Sequence, residues 1–235
     1  MTRSETDQTF EALLAFLRDN RGFDFTGYKR ASLMRRVRAR MHALSFRDFT
    51  DYRDYLETHP EEFAHLFNTI LINVTEFFRD PESWAVLARD FIPALVARKR
   101  AGEPIRAWSA GCASGQETYT LVMLLAEALG LERFRDQVKV YATDVDEEAL
   151  EQARRAHYSA REMEGIPVEL RDRYFEPSAG GWTFRPDLRR LVIFGRHDLV
   201  RDAPISHLDL LTCRNALMYF NAETQARIMT RFHFS

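Results

Sequence analysis

The chain has 235 residues, of which 46% are hydrophobic, 29% charged and 12% aromatic, and its formal net charge is -2. These values exclude wholesale disorder, a collagen repeat and a coiled-coil rod, and the near-neutral charge excludes a generic polyanion binder. The length suits one to two domains with a core that needs no disulfide or metal staple. Cys112 and Cys213 stand far apart, with no second Cys or His at ligand spacing. No metal site is therefore expected, and reduced thiols in a cytoplasmic protein are the default reading. The N-terminus lacks a basic-then-apolar signal pattern, and no apolar run approaches the roughly 18 residues that span a bilayer, so no membrane insertion is expected.

The first ninety residues read as helices. Phe10, Leu13, Leu14 and Leu17 fall at helical spacing before Gly22, and Leu33, Val37, Met41 and Leu44 form a second stripe. Ser45, with Asp48 three residues on, suits the cap of a third helix carrying Phe49, Tyr52, Tyr55 and Leu56. Pro60 opens a fourth, with Phe63, Leu66, Phe67 and Ile70 on one face. Residues 1–90 are thus expected to form a small helical bundle, and 91–104, ending in ARKRAGEP, a linker.

From residue 105 the pattern alternates. IRAWSAG (105–111) reads as a buried strand, followed by a helix carrying Tyr119, Val122, Met123, Ala126 and Leu129 that stops at Gly130. VKVYATD (138–144) is a strand ending in an acid, and a helix begins near Asp146. LVIFG (191–195) and LDLLTC (208–213) are two further strands. Strands alternating with helices predict a doubly wound parallel α/β sheet over 105–235. The stretch from about 158 to 190 is too long for a simple crossover, and its WTFRP points to a small antiparallel insertion.

Ligands of such sheets bind beyond the carboxyl ends of the strands. Three clusters fall there. Gly111-Cys112-Ala113-Ser114-Gly115 either lets a ligand approach the backbone or is a tight turn that needs two glycines. Asp144 either takes the ribose hydroxyls of an adenosine or caps the next helix, a task for which Asp146 is better placed. Cys213-Arg214-Asn215, with Tyr219 about a turn beyond, is either structural or part of the site. There is no GxGxxG and no Lys-Ser/Thr phosphate loop, which disfavours a nicotinamide dehydrogenase. An adenosine ligand without a pyrophosphate fits, and S-adenosylmethionine is one.

Asn73-Val74-Thr75-Glu76-Phe77-Phe78-Arg79, Gly111 to Tyr119, Ala142-Thr143-Asp144-Val145-Asp146, and Cys213-Arg214-Asn215 followed by Tyr219-Phe220 occur in one order. Together they resemble the bacterial chemoreceptor glutamate methyltransferases of the CheR type, from about residue 10 to the end. The resemblance implies an N-terminal helical domain and a Rossmann-like class I methyltransferase domain. It also implies methyl transfer from S-adenosylmethionine to a receptor glutamate, giving a methyl ester and S-adenosylhomocysteine. By position, Asn73, Thr75 and Arg79 would reach the cofactor from the N-terminal side. Glu117 would hold its amino group and Asp144 the ribose. Val145 and Asp198-Leu199 would flank the adenine, while Asn215 and Ala216 would line the methionine part. Arg79 and Tyr219 would face the substrate carboxylate. The family commonly has Glu at position 116, Pro or Ala at 118 and Asn at 198, where this chain has Gln116, Thr118 and Asp198.

Phe25 to Arg47 contains no acid and seven Lys or Arg. Arg35 and Arg36 point away from the Leu33-Val37-Met41 stripe, and Arg38 and Arg40 flank it. The run reads as a solvated face or, given the resemblance, as a docking face for acidic receptor helices. No stacking aromatics lie among these arginines, so nucleic acid is not the expected partner. Alternatives to the enzyme are a non-catalytic S-adenosylmethionine or S-adenosylhomocysteine sensor and a methyltransferase of RNA or another protein. Enzymes of this fold normally continue with a fifth strand and an antiparallel pair, about 40–50 residues more. The chain is therefore expected to be part of a longer protein, or LDLLTC to be covered by another chain.

Overall fold

The computed structural model describes residues 3–71, 73–100 and 102–235. Met1, Thr2 and Ile72, of the expected bundle, and Ala101, of the expected linker, lie outside them. The chain divides into two compact units, Met1–Ile72 with Ala216–Met229, and Asn73–Asn215 with Thr230–Ser235. The division therefore falls at residue 72 rather than at 90, with no separate linker over 91–104. The reason is burial: Phe77, Trp84 and Ile92 belong to the same apolar core as Ile105 and Tyr119.

The first unit is built on α1 (Arg3–Arg21), α2 (Arg30–Ala43), α3 (Phe49–Thr58) and α4 (Glu62–Ile70). The predicted stripes face inward, with Phe10, Leu13, Leu17, Leu33, Val37, Met41, Tyr52, Leu56 and Leu66 all buried. The cap of α3 is Asp48, whose carboxylate accepts from Thr50 N at 2.7 Å, while Ser45 sits in a left-handed turn at φ 65°. Residues 216–229, expected in the sheet domain, complete this unit. Lys29 N donates to the Tyr219 carbonyl (2.9 Å) and Asn221 N to the Gly27 carbonyl (2.9 Å). Phe220 packs on Tyr28, ring centroids 4.8 Å apart. The approach is close enough that a Cβ on Gly27 would meet Thr224 Oγ1 at 2.9 Å. Asn221 caps the terminal helix (Ala222–His233) by accepting from Thr224 N at 2.9 Å.

The second unit opens with α5 (Pro81–Val86), a π-helical turn (Leu87–Phe91) and α6 (Ile92–Arg98). Then follow β1 (Ile105–Ala110), α7 (Gln116–Leu129), α8 (Leu131–Gln137), β2 (Val138–Asp144) and α9 (Glu147–Arg155). The insertion comprises β3 (His157–Ser159), α10 (Val168–Tyr174), β4 (Phe175–Ser178) and β5 (Gly181–Phe184). After α11 (Pro186–Arg189) come β6 (Val192–Arg196) and β7 (Leu210–Thr212). The main sheet has order β6-β2-β1-β7 and is parallel throughout. The insertion forms an antiparallel sheet of order β3-β5-β4, as WTFRP suggested. Helix α7 is buried on nearly every face, which explains its apolar sequence. Phe77 makes edge contacts with Tyr158 and Phe175, so the insertion shares the main core. Strand β7 pairs with β1 and stands at the sheet edge. Among the described residues no helix is long and apolar enough to cross a membrane.

Two of the four α2 arginines expected to dock a partner are already engaged inside the first unit. Arg40 forms a two-pronged bond to Glu62 (2.7 and 2.5 Å), and Tyr52 donates to the same carboxylate at 2.7 Å. Burial pushes the Glu62 carboxyl up, yet the bonds from Arg40 and Tyr52 hold it below its ordinary value. Arg36 donates to the Ile70 carbonyl and lies over the Tyr219 ring, 5.0 Å from its centroid. It does not point away into solvent as its helical position suggested. Arg35 and Arg38 are exposed. Arg40→Ala would strand a carboxylate that is 3% exposed. It should cost about 3 kcal/mol in urea unfolding, recovered in part by adding Glu62→Gln, whereas Arg35→Ala should change stability by less than about 0.5 kcal/mol.

Candidate functional site

In the parallel register Ala110 lies opposite Thr143, Ser109 opposite Thr212, and Asp144 opposite Arg196. The four strands therefore end at one edge. β1 continues to β2 and β6 on one side, while β7 lies on its other side, so strand order reverses beside β1. The loop after β1 is held to β2 by bonds from Gly111 N (2.8 Å) and Cys112 N (3.0 Å) to the Thr143 carbonyl. Gly115 has φ 94°, and a Cβ there would sit 3.0 Å from Ala153 Cβ and 3.1 Å from the Tyr158 hydroxyl. Its glycine is required by backbone and packing alone, which is the tight-turn reading of this position.

Two carboxylates stand at this edge. Glu117, in the first turn of α7, is 8% exposed and accepts through Oε1 from Thr212 Oγ1 (2.9 Å) and Ser109 Oγ (3.3 Å). Burial lifts its pKa to about 7, against the lowering effect of the Thr212 bond, the Arg214 charge, the Ser109 bond and the Arg79 charge. Asp144 accepts from Ala113 N (2.8 Å) on one oxygen and from Asp146 N (3.0 Å) on the other. Burial again raises its pKa, opposed by those amides. Asp146 caps α9 through Glu148 N and Ala149 N, as its position implied. Asp144 is nevertheless not left free, because both oxygens orient on loop amides. Burial also keeps the Cys112 thiol neutral and pushes Cys213 up to about 12.

Asn73 and the Arg79 backbone are fastened beside this edge from within the second unit itself, which also contains Thr75. Asn73 Nδ2 donates to Asp146 Oδ2 at 2.6 Å, beside the end of β2. Phe78 N donates to Thr120 Oγ1 of α7 at 3.2 Å. Arg79 Nη1 donates to the Val74 carbonyl at 2.8 Å, folding the segment on itself. Arg214, just past β7, donates to the Arg79 carbonyl at 2.6 Å. The stretch Asn73–Asp80 is thus fastened near the ends of β2 and β7, on either side of β1. Ser109 and Thr212 are contacts to which sequence reasoning assigned no role, and it placed Asp146 only as a helix cap and Arg214 only within its tripeptide. Ser109 and Thr212 are neutral residues inside strands, and only the register pairs them.

Asp198 lies just past β6, next to His197, whose N–H donates to the Asp144 carbonyl at 2.9 Å. Its carboxylate closes a local turn by accepting from Val200 N at 2.8 Å. The Leu199 carbonyl accepts from Arg231 at 3.3 Å. Asn215 follows β7 in a left-handed conformation, φ 55°, and Val145 is half-buried after β2. Ala216 and Tyr219 belong to the first unit.

Glu117 should leave a mark on ligand-free stability. A folded-state pKa of about 7 lies above the usual 4.5. The native state then keeps a proton that the unfolded chain releases, and stability falls as pH rises across that window by up to about 3 kcal/mol. In urea titrations Glu117→Gln should flatten this fall relative to the wild type.

Comparison with known proteins follows the same division. Residues 8–71 match the CheR methyltransferase all-alpha domain and residues 73–235 the CheR methyltransferase SAM binding domain. The chemotaxis protein methyltransferase of Escherichia coli K12 is 32% identical, over 97% of this chain and 79% of its own length. Chemotaxis protein methyltransferase 2 of Pseudomonas aeruginosa is 32% identical, over 98% of this chain and 81% of its own length. A 104.1 kDa protein of Rhodobacter capsulatus is 38% identical over 90% of this chain, which spans 22% of that protein's length. With both domain models matched in order over nearly all its residues, the chain belongs to the CheR methyltransferase family.

Proposed function

We propose that the chain is an S-adenosylmethionine-dependent protein-glutamate O-methyltransferase that acts on chemoreceptor glutamates. The observation that carries this reading is the Asn73–Asp80 segment, which brings a guanidinium to the carboxyl edge where the buried Glu117 and Asp144 stand. These residues fit the ligand chemically. A buried carboxylate with a raised pKa and a second oxygen beyond the Ser109 and Thr212 bonds suits an ammonium. Asp144 is oriented by two amides, and each oxygen keeps a lone pair for a ribose hydroxyl. When bound, S-adenosylmethionine supplies a sulfonium methyl; a carboxylate oxygen bonds to it as the S–C pair returns to sulfur, leaving a methyl ester and a neutral thioether.

The protein's part is placement. A glutamate side chain is already ionised near neutral pH, so no base is needed. Arg79 has five guanidinium donors, one of them used on Val74, and holds the carboxylate oxygen that does not react. Asn73 and Thr75 border the methyl-donor site, with Val145 and Asp198-Leu199 at the adenine and Asn215 and Ala216 at the methionine part. Tyr219 donates its hydroxyl to the substrate. Charge placement suits an acidic partner: Arg35 and Arg38 are exposed on α2, and the unit has a structural use for Arg36 and Arg40.

With purified receptor cytoplasmic fragments and labelled S-adenosylmethionine, Arg79→Ala should lower transfer by about 100-fold or more while calorimetric binding of S-adenosylmethionine persists. Transfer at the wild-type rate would remove Arg79 from the mechanism. Arg35→Ala with Arg38→Ala should raise KM for the receptor about tenfold at low salt and shrink the difference between low and high salt. An unchanged salt profile would argue against a docking role for these two arginines.

A further inference from the structure

The Arg79 carbonyl lies between two residues in the left-handed region, Phe78 at φ 52° and Asp80 at φ 54°. Side-chain-bearing residues adopt that conformation only where the surroundings impose it. Asp80 stands at the N-cap of α5 yet makes no side-chain cap bond. Its carboxylate turns instead to Arg214, Oδ2 to Nη2 2.9 Å. The same Nη2 donates to the Arg79 carbonyl at 2.6 Å, and the guanidinium lies over the Trp84 ring, 4.8 Å from its centroid. Trp84 is 3% exposed and the Arg214 side chain 19%. Arg214 is thereby held by an aromatic plane and a carboxylate, with a hydrogen spent on the backbone of Arg79.

We propose that Arg214 is a positioning residue: it fixes the backbone of Arg79 and, through it, where the Arg79 guanidinium meets the substrate carboxylate. The inference rests on the methyltransferase reading and adds the residue that makes Arg79 effective. The Arg79 side chain is hooked back to the Val74 carbonyl, so its reach is set by where its own peptide is held. Without the bond from Arg214, the left-handed pair at Phe78 and Asp80 loses the contact that imposes it, and the guanidinium moves with the relaxing backbone. Lysine cannot replace the guanidinium, because an ammonium lacks the plane that stacks on Trp84 while one of its nitrogens bonds two oxygens.

The test compares wild type, Arg214→Lys, Arg79→Lys and the double variant in receptor methylation, with thermal unfolding as the folding control. Arg214→Lys should lower kcat about 30-fold while the Kd for S-adenosylmethionine stays within about threefold; on the Arg79→Lys background it should cost less than about threefold, because both changes act through one group. Asp80→Asn, which keeps an acceptor and leaves the carbonyl bond in place, should retain kcat within about threefold. A substrate-free readout keeps this separate from the function itself. The Arg79 Nε–H resonance in nitrogen-edited NMR, assigned by its absence in Arg79→Lys, should be sharp in the wild type and broadened in Arg214→Lys. Should Arg214→Lys fail to fold, Arg214→Gln takes its place in both measurements. A wild type that methylates no receptor glutamate while the resonance responds overturns the methyltransferase reading alone. An unaltered Arg79 resonance, or rate losses that multiply independently in the double variant, overturns the role of Arg214.

Discussion

At the carboxyl edge of the sheet, burial works against charge. Glu117 and Asp144 stand within elements whose packing excludes water, and each would be neutral much of the time if burial acted alone. What keeps them usable is a set of short-range donors: Ser109 and Thr212 for Glu117, Ala113 N and Asp146 N for Asp144. Those donors come from the sheet register and from the loops after β1 and β2. The precise pairing of β1 with β7, a matter of a few backbone bonds, therefore sets the electrostatics of the edge.

Arginine does several jobs in this chain, and its charge alone does not say which. Arg40 neutralises a buried glutamate, Arg36 spans the end of α4 and a tyrosine ring, and Arg214 stacks on a buried tryptophan. Arg35 and Arg38, a turn or less away on α2, stay exposed, Arg38 with its guanidinium over the Phe49 ring. Each fate follows from what the arginine faces. A buried carboxylate or carbonyl draws a planar donor, because leaving that acceptor unmet would cost more than a surface ion pair returns.

Much of this architecture was legible in residue spacing. The helix stripes, the four parallel strands, the antiparallel insertion and the capping role of Asp146 follow from local periodicity and turn chemistry, which act over a few residues. The family was legible through four short stretches in one order, and both domain matches bear it out. What was not legible depends on contacts between distant residues. Asn73 to Asp80 has no helical or strand period, so nothing local assigned it to the second unit; Phe77 in the core and Asn73 on Asp146 do that. Helix α8 and the π-helical turn are short and carry no clean apolar stripe. Arg214 looked like one residue of a tripeptide, since its partners Arg79, Asp80 and Trp84 lie more than a hundred positions earlier.

The helical unit is discontinuous in sequence. Its α1–α2 junction pairs backbone groups of Gly27, Tyr28 and Lys29 with Tyr219, Phe220 and Asn221. Because synthesis runs from the N-terminus, the first four helices leave the ribosome long before the strip that completes them exists. The aromatic cluster of Phe23, Phe25, Tyr28 and Phe67 must wait, partly uncovered, while the whole sheet unit is made. Closing that long loop costs little more entropy than closing a shorter one, but it is slow and comes late. The last part of the N-terminal unit to form is therefore encoded after the whole of residues 73–215, and the growing chain carries an exposed apolar surface while that stretch is made.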